Sequence, residues 1–114
     1  MIKSGQLSKI ELLAMLRQSI PEWNKYRKIH TGQVDLTDAT LRNANLAKAD
    51  LSEAKLIRVD LSEANLSGAY LRGADLTEAN LEYVNLSGAK VAPEQLAKVK
   101  SLKGAVMPDG TKHI

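Results

Sequence analysis

Leucine recurs every five residues through the middle of this chain: Leu36, Leu41, Leu46, Leu51, Leu56, Leu61, Leu66, Leu71, Leu76, Leu81 and Leu86, with Val91 continuing the series. Two positions before each stands Ala or Val, from Val34 and Ala39 to Val84 and Ala89, and the other three places are mostly polar. Residues 34–93 thus form twelve unbroken five-residue units. Five is not a helical period, because at roughly 100° per residue successive leucines would step about 140° and spread over the whole circumference. A chain that keeps residues n and n−2 on one side is locally extended, since strand side chains alternate. Short extended pieces joined by tight turns, each stacked on an earlier one, make a β-solenoid.

Units such as Ala44-Asn45-Leu46-Ala47-Lys48, Ala49-Asp50-Leu51-Ser52-Glu53, Ala64-Asn65-Leu66-Ser67-Gly68 and Ala74-Asp75-Leu76-Thr77-Glu78 carry a further pattern, A(D/N)LXX. In this the sequence resembles the pentapeptide-repeat family over 60 of its 114 residues. The resemblance implies an all-β solenoid, a right-handed quadrilateral β-helix with one pentapeptide per face and about three coils over 34–93. The Leu series and Val91 would fill its axis and the Ala series its cramped corners. Wrapping the sequence at twenty stacks Asp35, Lys55 and Asp75, and beside them Asp38, Arg58 and Glu78, so that charge alternates along both columns. A third column, Asn45, Asn65 and Asn85, suits a ladder of side-chain amides. Gly68, Gly73 and Gly88 close their units where a type II turn needs positive φ. Units ending in Glu, Lys or Arg are expected to turn differently.

A solenoid leaves an open edge and an open apolar core at each end, and the flanks, 1–33 and 94–114, are read as caps. Ser8 and Glu11 form a capping box ahead of a helix over Lys9–Gln18, with Ile10, Leu13 and Leu16 or Arg17 along one side. Ser19, Pro21 and Glu22 repeat that logic before a second short helix bearing Trp23, Tyr26 and Ile29, with Trp23 expected over the first coil. Pro93–Lys100 reads as a short helix, and Ala105–Asp109 as a displaced last unit with Met107 in the Leu role. Both flanks are also similar to segments around the repeats of cyanobacterial family members. Covered ends predict a monomer.

Composition then narrows the chemistry. With no Cys, disulfides and thiolate chemistry are absent, and a reducing compartment suits the chain. Without a signal-peptide layout or a long apolar run, the sequence predicts a soluble, cytoplasmic protein that engages no membrane. Residues 1–33 hold six Lys/Arg against two acids, 34–93 six against nine, and 94–114 four against two, so basic ends flank a mildly acidic middle. His30 and His113 fall in the flanks, and the recurrent acids are explained by repetition. No catalytic, metal or cofactor motif is present, which predicts a non-catalytic scaffold that binds an unknown protein partner. Candidate contacts are the outward Tyr70 and Tyr83 and the basic group Lys25, Arg27 and Lys28. The resemblance also implies an alternative, a DNA mimic that binds a type II topoisomerase (gyrase). Against it stand Leu in place of the Phe common in such members, a net charge of +3, and a solenoid only about 14 Å long at strand spacing. A second alternative is weak nucleic-acid binding through the basic ends, for which the charges are few and divided.

Overall fold

The computed structural model describes residues 7–114; residues 1–6, the start of the N-terminal flank, lie outside the described residues. From residue 34 onward one local path repeats: a single bridged residue, the inward Leu, then a two-residue turn. Parallel bridges join Asp35 to Lys55 and Lys55 to Asp75, Thr40 to Asp60 and Asp60 to Asn80, Asn45 to Asn65 and Asn65 to Asn85, and Asp50 to Tyr70 and Tyr70 to Lys90. Each partner lies twenty residues further on, so four faces complete one circuit. The architecture is a β-helix whose faces are one bridged residue wide. The ladder is regular: Leu36 N donates to Lys55 O at 2.9 Å, Lys55 N to Val34 O at 2.8 Å, and Leu56 N to Asp75 O at 2.8 Å.

The turns of the first eleven units are alike, which corrects one expectation. Asp38, Asn43, Lys48, Glu53, Arg58, Glu63, Glu78 and Tyr83 take positive φ, between 57° and 67°, just as Gly68, Gly73 and Gly88 do. Two bonds impose this. The N–H of Ala39 returns to Leu36 O at 3.0 Å, and that of Asp38 reaches Ile57 O, one circuit away, at 2.9 Å. With both ends of the turn tied, a side chain that disfavours the left-handed region is carried into it, at a cost of about 1 kcal/mol or more per residue.

Every leucine from Leu36 to Leu86 is buried, along with Val34, Val59, Val84 and most of the Ala series. Val91 departs from the series: it is only partly buried, because no full circuit follows to cover it. The amide ladder also fails to form in the way expected. Asn45, Asn65 and Asn85 turn their Oδ1 atoms to their own turns, accepting from the N–H groups of Ala47, Ser67 and Ser87 at 3.3, 2.9 and 3.0 Å.

Helices α1 (Lys9–Gln18) and α2 (Ile20–Ile29) lie against the first circuit. Ser8 and Glu11 close the capping box of α1, and Ser19 Oγ accepts from Glu22 N in α2. The inward face of α1 is Leu12 and Leu16 rather than one led by Ile10, which is 80% exposed; Ile29 of α2 is also exposed. Trp23 is fully buried, and its Nε1 donates to Asp50 O at 2.8 Å. Asn24 substitutes for a missing coil: its Oδ1 accepts from Asp50 N at 2.8 Å, a donor whose counterparts at 55, 60, 65 and 70 go to a carbonyl one circuit earlier. Lys9 and Arg17 donate to the carbonyls of Thr37 and Thr40.

Past residue 93 the stacking continues. Helix α3 is a single turn, Pro93–Leu96, shorter than the span to Lys100 read from sequence. Gln95 Nε2 donates back to Leu71 O and Ala74 O at 2.6 and 2.9 Å. The ladder then resumes with one extra residue, Asn80 bridging Ser101 and Asn85 bridging Val106. Leu102 and Met107 thereby occupy Leu positions, and Gly104 turns at φ 70° under the Tyr83 ring, where a Cβ would collide.

Two substitutions probe this fold. Leu61→Ala, mid-stack, should lower unfolding free energy in urea by about 2–5 kcal/mol through the cavity it leaves; a loss below about 0.5 kcal/mol would mean that the axis is not the core. Gly88→Ala meets only ordinary contacts around its new Cβ. It should therefore read the turn strain alone, a loss of about 1 kcal/mol, and an unchanged urea midpoint would show the left-handed turn to be unstrained.

Candidate interaction surface

In each unit three side chains face outward: the bridged residue and the two turn residues. The bridged place is where Asp and Asn concentrate, and the structure supplies the reason. Asp35, Asp50, Asp60, Asp75 and Asn80 each accept from the backbone N–H two residues on, at 3.0–3.1 Å. The short acceptor side chain closes a local ring that positions the following turn. Ser62 and Thr77 add their hydroxyls to Asp60 and Asp75, both at 2.6 Å.

These bonds set the acidity of the surface. Thr37 holds the Asp35 carboxyl below the usual carboxylate range, the Ser62 hydroxyl does the same for Asp60, Thr77 for Asp75 and Thr111 for Asp109. Asp38 is lowered chiefly by Arg58, whose Nε and second nitrogen grip both carboxylate oxygens at 2.7 and 3.0 Å. This pair is the first step of the Asp38, Arg58, Glu78 column. Among the described residues, no group of His, Cys, Asp and Glu could hold a metal ion.

The candidate contacts separate into two kinds. Tyr70 and Tyr83 are 47% and 50% exposed. Tyr70 is backed by Lys90, whose Nζ lies 5.7 Å from the ring centroid and donates to Gly88 O at 2.9 Å. Tyr83 packs the Cδ1–Cε1 edge of its ring against Gly104. Both rings are therefore presented in defined positions. Lys25 and Lys28 are exposed. Arg27 is not a surface contact: it is 7% exposed, and its guanidinium donates to His30 O, Gly32 O and Ser52 O at 3.2, 3.0 and 2.9 Å. It ties α2 and the entry loop to the first circuit. Its place in a run of basic residues concealed that role, which would have needed the pairing of α2 with Ser52 to be known. Tyr26 and His30 stack at 4.4 Å, and His113 sits in the C-terminal tail.

The profile of pentapeptide repeats matches eight copies, over residues 34–71 and 54–91, together half of the chain. The chain belongs to the pentapeptide-repeat family. Among solved structures, this pentapeptide-repeat protein is similar to alr5209, a family member from Nostoc PCC 7120, with 27% identity, a TM-score of 0.51, and 78% of this chain and 75% of that one covered. HetL from Nostoc sp. strain PCC 7120, a pentapeptide-repeat protein involved in heterocyst differentiation regulation, is 41% identical over 69% of this chain and 38% of its own, with a TM-score of 0.44. A thylakoid-lumen member from Arabidopsis thaliana is 31% identical over 68% and 56%, with a TM-score of 0.43. The chain thus spans less than two thirds of the length of the last two. No match is found among curated proteins. Among the described residues, no helix is long and apolar enough to cross a membrane.

The lowered acids make a pH prediction. A carboxyl whose folded pKa lies below its unfolded value near about 3.9 contributes stability that is complete above that value and is lost as pH falls through the folded pKa. The urea midpoint should therefore fall as pH drops from about 5 towards 2.5. Asp60→Asn with Asp75→Asn keeps the acceptor, as the natural Asn units do, and should flatten that fall; an unchanged slope would place the titration elsewhere.

Proposed function

We propose that this chain is a non-catalytic protein-interaction module. In this reading, residues 34–93 are a right-handed quadrilateral β-helix of about three coils, held as a monomer by the flanking segments 1–33 and 94–114. Its partner is an unidentified protein. The observation that carries the proposal is how the surface carboxylates are used. The acids whose acidity is raised are each committed to their own turn or to a neighbouring Arg, which suits a framework and not an acid–base site. Meanwhile two half-exposed tyrosines stand on a backbone that gives them little freedom, and preorganised Tyr is favoured at interface hot spots.

Cross-linked co-purification from the native cell, with the wild type beside a Tyr70→Ala, Tyr83→Ala double variant, tests the proposal. A defined protein should be recovered with the wild type and be lost or strongly reduced with the variant. Equal recovery would remove the tyrosines from the interface. Inhibition of gyrase supercoiling, or micromolar DNA binding that weakens steeply with salt, would replace this reading by a nucleic-acid or topoisomerase one.

A further inference from the structure

The four faces of the solenoid differ in charge. In chain order, the bridged places hold Asp35, Lys55 and Asp75 on the first face, Asp60 on the second, and Asp50 and Lys90 on the fourth. The third, Asn45, Asn65, Asn85 and Val106, carries no charge until the tail returns with Lys112 against Val106. The turn does not itself ask for Asn, because Asp accepts from the same N–H at Asp35, Asp50, Asp60 and Asp75. Nor is neutrality the only way to avoid a column of like charges: the column with two acids sets Lys55 between them. We propose that the third face binds a neutral, extended, β-linked polysaccharide lying along the solenoid axis, a site that does not depend on the protein partner.

The amides of this face are held with their donors free. A turn N–H must meet an acceptor, so Oδ1 of Asn45, Asn65 and Asn85 faces Ala47 N, Ser67 N and Ser87 N, and the NH2 group is left on the other side. None of the three Nδ2 atoms has a hydrogen-bond partner among the described residues, and none is shut off from solvent. They make three rungs about 4.8 Å apart, each already oriented by the fold, and a preoriented donor loses little freedom on binding. Tyr83, half exposed and with its ring edge braced on Gly104, stands on the corner just before Asn85. The corner after the rungs begins with Ala47, Ser67 and Ser87, small residues that leave the approach low.

Charge and spacing select the ligand. Uncharged donors suit an occupant rich in neutral oxygen acceptors and give no purchase to a phosphate backbone or an anionic lipid surface. A peptide strand along the axis repeats its same-side groups every two residues, about 6.7 Å, and falls out of step with the rungs at once. The matching face of a second copy shares the rung spacing but would set donors against donors. A β-linked pyranose chain advances by nearly one rung per sugar, so successive sugar oxygens meet successive amides. The Tyr83 ring adds an apolar surface for the C–H side of a sugar.

The test uses the full chain, with hydroxyethyl cellulose in native affinity electrophoresis and cellopentaose in calorimetry. The polymer should retard the wild type, and cellopentaose should bind at least about tenfold more tightly than maltopentaose, whose α-linked chain coils. Asn65→Asp keeps the acceptor that its turn needs, as the natural Asp units do, but removes the central donor; it should weaken cellopentaose by at least about tenfold. Tyr83→Ala should weaken it too. Asn80→Asp on the second face and Tyr70→Ala on the fourth should leave it unchanged. No retardation, equal binding of the two pentasaccharides, or wild-type binding by Asn65→Asp overturns the proposal. So does a concentration-dependent dimer in sedimentation that Asn65→Asp abolishes, since a second copy would then occupy the face. A native protein captured equally by wild type and Asn65→Asp, with no sugar bound by either, removes the sugar site and leaves the interaction module standing. Sugar binding by a wild type that captures no protein does the reverse.

Discussion

Each circuit of this protein must satisfy its backbone on the circuit before and the circuit after, twenty residues away in either direction. That requirement, more than any side-chain contact, organises the rest. It holds the faces to one bridged residue each, brings the leucines to a common axis, and places every turn under tension from two sides. The left-handed turns at Glu53, Arg58 and Tyr83 follow from it. Alone, such residues avoid that region; between a bond to the preceding Leu carbonyl and one to the next circuit they have no alternative. The Asp and Asn side chains relieve part of the demand by tying the following N–H locally.

The same requirement fails wherever the stack stops, and the two ends answer it in different ways. At the first circuit, side chains imitate a missing strand. The amide of Asn24 accepts from Asp50 N and donates to Lys48 O at 3.0 Å, the Trp23 indole takes Asp50 O, and Arg27 gathers Ser52 O with the carbonyls of its own loop. These groups cover the apolar axis as well as the edge. At the last circuit Pro93, α3 and the returning tail cover part of the edge, and the axis is left half-covered. An open edge invites strand addition, which is hard to limit.

For function, the framework and its ornaments have to be weighed apart. The Asp carboxylates are spent within the framework, among them Asp38 on Arg58, Asp60 on Ser62 and Asp75 on Thr77. The additions that stand apart from it include Tyr70 over Lys90, Tyr83 beside Gly104, the exposed Lys25 and Lys28, and the groove around Val91, Leu102 and Met107. A fold of this kind hosts function on such additions and does not dictate it. It supplies rigidity, so that an aromatic ring held on a fixed backbone loses little freedom on binding.

A five-residue period with small residues two places before each Leu already determines a stacked, extended chain, because no helix can gather those leucines on one side. The helix starts at Ser8 and Ser19 were legible for a similarly local reason, a hydroxyl three residues ahead of a Glu. Features decided by the neighbouring circuit could not be read. Nothing in Glu63 announces positive φ; the ladder imposes it. Arg27 looks like one of several basic residues until α2 is laid on the first circuit and its guanidinium meets three carbonyls. Val91 matches its series in spacing yet lacks a following circuit to bury it, and Ser101 and Leu102 rejoin the ladder one residue out of step, invisible to a strict period. Local spacing determines how each unit folds. What covers a unit, what pairs with its edge and how far its turn is strained depend on residues about twenty places away, and only the stacked structure brings those together.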